Sequence, residues 1–166
     1  MRGERGQAAA ASVLLVLVMV LIAGAMVDVY RLQEARSWAY RAAEAAALTG
    51  VTLGRDLSTV YTHGRPRVDP GVGHDTAEQA LLDALARWGA TRYAYDIRVA
   101  EWGGEVFSGY PPVARADMWG ESPWQPDEPA VGVYLEMDVQ TYILGLVNGN
   151  APVAVHVFAA AGVATP

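Results

Sequence analysis

The chain has 166 residues, a formal charge of −6 from 12 basic against 18 acidic residues, 52% hydrophobic residues and no cysteine. All 12 basic residues are arginines scattered singly, so no basic tract exists to hold a nucleic acid. Without cysteine, disulfide frameworks, thiol catalysis, Cys-ligated zinc and iron–sulfur clusters are excluded.

The hydrophobic residues are unevenly placed. In the 20 residues from 8 to 27, only Ser12 and Gly24 fall outside the hydrophobic class. At about 1.5 Å per helical residue such a run crosses the roughly 30 Å of a bilayer's hydrocarbon core once. Residues 1–7 then form a short cytoplasmic basic head with Arg2, Glu4 and Arg5, and the acidic remainder lies outside the membrane by the positive-inside tendency. The rival reading is a cleaved secretory signal, with Ala23, Gly24 and Ala25 as a small-x-small site. Against it, the apolar run is long and the helical pattern continues past the site.

Residues 28–50 carry no proline and no glycine before Gly50, and they are rich in alanine. They extend the same helix as an exported amphipathic segment. Ala35, Ala39, Ala43 and Ala47 recur every fourth residue, with Ala42 and Ala46 beside them, forming a smooth ridge for close packing. Two partners fit that ridge: the chain's own outer domain, or copies of the same helix in a filament.

Residues 51–166 form the extracytoplasmic part. Glycines and prolines between 51 and 73 read as an irregular connector. A short amphipathic helix follows, with Asp75 and Glu78 at capping-box spacing, an apolar stripe of Ala77, Leu81, Leu82, Leu85 and Trp88, and a stop at Gly89. Three segments then alternate with period two. Tyr93, Tyr95, Ile97 and Val99 share the apolar face of the first. Val131, Val133, Leu135, Met137 and Val139 line the second, and Val153, Val155, Val157, Ala159 and Val163 the third. One-sided alternation predicts an antiparallel sheet. Asn148 and Gly149 mark a hairpin turn between the second and third strands, and a short strand at residues 105–108 is expected to pair back on the first.

Between residues 109 and 130 lies a loop with five prolines and no period, carrying Tyr110, Trp119 and Trp124. These aromatics are the candidate interaction loop. They fold over the chain's own sheet, meet a neighbouring subunit, or stack on an external ligand. The three histidines, His63, His74 and His156, form no metal-ligand spacing, and no nucleophile motif or phosphate loop is present. No catalytic residue, metal or cofactor is expected. All of the net charge lies in residues 116–166, which hold six acids and no base.

The start, RGERGQAAAASVLLVLVMVLIAGAMVDV followed by ARSWAYRAAEAAALTGV, resembles the N-terminal module of TadE/TadG-like proteins of the Flp (type IVc) pilus apparatus. The stretch TYILGLVNGNAPVAVHVFAAAGV resembles the closing hairpin of TadE-like pseudopilins. The resemblance implies an α+β, type IV pilin-like fold, with a long transmembrane helix packed on a small antiparallel sheet and one additional short helix. It also implies a minor pilin or pilus-assembly role in the inner membrane, beside other pilus subunits. A prepilin peptidase would cut between Gly6 and Gln7. Where that family carries a Glu five residues into the mature chain, this sequence has Ala11. The alternative function is a membrane-anchored adhesion or ligand-binding module that uses the tryptophan loop.

Overall fold

The computed structural model describes residues 2–112 and 123–163, with side chains from Ala10 onward. Helix α1, Arg2–Gly54, is continuous over 53 residues. It is followed by β1 (Arg55–Asp56), α2 (Ser58–His63), β2 (Arg67–Val68), α3 (Pro70–Trp88), β3 (Tyr93–Ala100), β4 (Ala130–Val139), α4 (Ile143–Val147) and β5 (Val153–Gly162). The class is α+β, with a long N-terminal apolar helix and a small antiparallel sheet. The chain divides into two compact units, Met1–Ala35 with Asp138–Ala154, and Arg36–Met137 with Val155–Pro166.

In the second unit, β4 is the centre of a sheet ordered β3-β4-β5. Strand β3 pairs antiparallel to it, from Tyr93 opposite Met137 to Ala100 opposite Ala130. The odd-numbered side chains of β4, Val131, Val133, Leu135 and Met137, are buried as the alternation predicts. They face the helical layer, where Val131 meets α1 at Gly50 and Val99 of β3 meets α3 at Gly73. Leu81 and Leu85 of α3 complete this core.

The expected connector at residues 51–73 is mostly regular structure. Helix α1 runs past Gly50 to Gly54, and β1 pairs with β2 as Arg55 opposite Val68 and Asp56 opposite Arg67. Helix α3 starts five residues before the predicted capping box. Its N-cap is Asp69, whose carboxylate accepts from Val72 N at 2.9 Å, and Pro70 occupies the first turn, where a missing N–H costs nothing. Asp75 and Glu78 therefore sit in the second and third turns. The stop at Gly89 is as predicted, with a left-handed φ of 76°.

Two strand expectations need correction. Phe107 makes an isolated bridge with Trp124 instead of pairing on β3. Strands β4 and β5 are neighbours, but their connection is more than a tight turn, because residues 143–147 coil into α4.

Candidate functional site

Among the described residues, α1 is the one helix long and apolar enough to cross a membrane. Every large apolar side chain in residues 13–22 is at least 42% exposed. Among the described residues none covers this surface, which is the condition of a helix whose solvent is lipid. Exposed apolar side chains continue through Met26, Val27, Val29 and Tyr30.

Asp28 breaks that run, and it is fully buried. Its carboxylate accepts three backbone hydrogen bonds from the start of α4: Tyr142 N at 2.7 Å, Ile143 N at 2.6 Å and Leu144 N at 2.9 Å. The first turn of a helix leaves its amides without intrahelical partners, and the N-cap residue, Tyr142, makes no side-chain cap bond. Asp28 supplies that cap from 114 residues away in sequence. One turn to either side, α1 completes the docking. Gly24 leaves room for Ile143, since a Cβ there would stand 2.6 Å from Ile143 Cγ1. The Arg31 guanidinium lies 4.8 Å over the Tyr142 ring. Sequence reasoning passed over Asp28; the available signal was a lone acid ending an apolar run.

The alanine ridge is buried. Ala39, Ala43, Ala46 and Ala47 are fully inaccessible, and Ala35 and Ala42 nearly so. In a single chain this leaves nothing of the ridge open to a second copy. Just beyond it, Gly50 and Gly54 bring α1 against α3. A Cβ on Gly50 would be 2.6 Å from Gly73 O, and one on Gly54 would be 2.8 Å from Gly73 Cα. Trp38 stacks on Trp88, with ring centroids 4.6 Å apart.

Of the loop aromatics, Trp119 lies outside the described residues. Tyr110 and Trp124 fold over the chain's own sheet. Tyr110 is buried and donates its hydroxyl to Asp96 O at 3.0 Å. Trp124 lies flat on Gly132 of β4, where a Cβ would meet its ring at 3.0 Å. Phe107 and Phe158 close the cluster, at 4.9 and 5.9 Å from Trp124. The face of β4 predicted to be solvated is therefore covered as well: Tyr134 is buried instead of exposed. Burial, with the Glu136 charge adding to it, pushes the Tyr134 phenol up to about 12. Its hydroxyl lies 2.8 Å from His156 Nδ1 and 3.4 Å from Glu136 Oε2.

His74, Asp75 and Glu78 place their ligand atoms within 4.8 Å of one another on α3. Asp75 is largely exposed, and Glu78 already accepts the Tyr95 hydroxyl at 2.6 Å. That carboxylate, with burial adding to it, raises the Tyr95 phenol above its ordinary range. The turn reads as solvated polar surface with one structural hydrogen bond. Gly6 and Gln7 lie on the α1 backbone, where side chains are not described. No family model, curated protein or solved structure matches this chain. The geometry therefore carries the functional argument by itself: an apolar helix that no described residue covers, continuous with an alanine ridge buried within the chain.

Proposed function

We propose that the chain is a single-pass, membrane-anchored, pilin-like structural or assembly subunit of a Tad/Flp-type pilus or secretion apparatus, a minor pseudopilin without catalysis. The observation that carries the reading is the division of α1 into two solvents. Residues 13–22 expose their apolar side chains, whereas residues 35–47 bury an alanine ridge within the chain. A helix built this way anchors a small α+β domain at a membrane surface and leaves its lipid-embedded half for lateral packing on other helices. The motifs at residues 1–51 supply the assignment to the Tad apparatus. Its partners are the bilayer, other pilus subunits and a prepilin peptidase acting between Gly6 and Gln7. The N-terminus is cytoplasmic and the domain extracytoplasmic. The adhesion alternative draws nothing from Tyr110 and Trp124, which are engaged with the chain's own sheet.

An epitope-tagged copy expressed in its native cell is expected to copurify with filaments or with other pilus components after detergent extraction. N-terminal sequencing of the same sample reads Gln7 if the peptidase acts and Met1 if the chain remains an unprocessed anchor. Failure to copurify with any pilus component rejects the assembly role.

A further inference from the structure

We infer that residues 142–147, the α4 turn, are a second membrane contact lying in the outer interfacial layer of the bilayer that α1 crosses. The inference rests on the single-pass reading of α1 and adds an element that the hydrophobic run does not include.

Depth is set by contact. Ile143 packs on Gly24, which lies about 5 Å inside the end of the apolar run at 1.5 Å per residue. Either side of Asp28, α1 still exposes Met26, Val27, Val29 and Tyr30. The turn thus docks on a stretch of helix whose free surface is apolar. Its own free surface is apolar too: Leu146 is 71% and Val147 85% exposed, with Leu144 exposed beside them. In water these side chains would gain nothing from their position; beside lipid they extend the band begun by α1.

Three further features fit an interfacial location. From residue 139 to residue 155 the chain carries no charged side chain. A backbone amide without a partner is costly where water is scarce, and three amides at the start of the turn are taken by Asp28. Tyr30 and Tyr142, with Arg31 over the Tyr142 ring, place amphipathic side chains at the headgroup level. A second copy of the chain is the other occupant an apolar patch could have. Continuity with the lipid-facing band of α1 favours the bilayer.

The absence of native cysteine allows single-site labelling of the full chain. Leu146→Cys and Val147→Cys, each carrying an environment-sensitive nitrobenzoxadiazole dye, are reconstituted in phosphatidylethanolamine/phosphatidylglycerol vesicles, with Leu17→Cys and Asp83→Cys as references. The expected result is blue-shifted emission at 146 and 147, quenched more strongly by nitroxide lipids labelled near the headgroup than by those labelled deep in the chain. Leu17→Cys should show the opposite quenching order, and Asp83→Cys a water-like emission. Water-like emission at both 146 and 147 with Leu17 in lipid overturns the inference and leaves the anchor standing. Efficient disulfide cross-linking of copies through Leu146→Cys overturns it in favour of self-association. A water-like signal at Leu17 removes the anchor reading, and this inference with it.

Discussion

Asp28 illustrates how one side chain can link distant segments of a chain. A carboxylate beside the first turn of a helix satisfies amides that have no other partner, and it does so where the flanking α1 side chains are apolar. Tyr134 is the counterpart on the sheet. Burial pushes its phenol up from the ordinary 10.0 to about 12, so the protonated form is favoured by folding. A raised pKa contributes stability that is complete below the ordinary value and is lost as pH climbs from 10.0 through about 12. Melting temperatures taken across that window should fall less steeply for Tyr134→Phe than for the native chain. Equal slopes would show that Tyr134 is not held protonated by its surroundings. The Tyr95 and Tyr110 phenols are also raised, so the native slope is shared and the difference between the two curves is the diagnostic quantity.

At the scale of elements, Gly50 and Gly54 look like helix terminators in sequence and act as a helix contact in space. Glycine inside a helix costs roughly 1 kcal/mol relative to alanine. Here it is required, because α3 passes so close that a Cβ at position 50 would collide with Gly73 O, a backbone atom that cannot swing aside. Gly50→Val should lower stability by roughly 1–3 kcal/mol through overpacking. Thermal unfolding in detergent checks this, and an unchanged melting temperature would mean that α3 does not sit against α1 at this point. The start of α3 has a similar lesson. Asp75 and Glu78 have the spacing of a capping box, but Asp69 and Pro70 satisfy the first turn earlier, and the helix begins where the first adequate cap occurs.

Over the whole molecule, the 52% hydrophobic composition resolves into two populations. One is buried in the sheet, α3 and the alanine ridge; the other is exposed, chiefly on α1 and at the α4 turn. That second population predicts behaviour on fractionation. The chain should stay in the membrane pellet after alkaline carbonate washing and enter solution only with detergent. Replacing Leu15 and Leu17 by Arg, each costing about 2.5–3.5 kcal/mol at the centre of a spanning helix, should move it to the soluble fraction. Release of the native chain by carbonate alone would contradict a spanning helix.

Local pattern determined a large share of this. The apolar run, the alanine ridge, the three alternating strands and the stop at Gly89 were legible because each is a periodic signal within one segment. Partners distant in sequence were not legible. Tyr134 was assigned to a solvated face because the ring it meets, His156, lies 22 residues further along the chain, and nothing near it announces that partner. Trp124 could be recognised as an aromatic needing cover, but not that Gly132 would provide a flat backbone for it. The sequence by itself determined that an uncharged membrane-length helix leads into an α+β region with its negative charge in the last third. Only the tertiary structure decided which small residues are contacts and not breaks, which sheet face stays dry, and that Asp28 caps a turn 114 residues away. The physical reason is common to all three. Periodicity reports what a segment must bury, whereas a cap, a close approach and an aromatic cover depend on which segment arrives there.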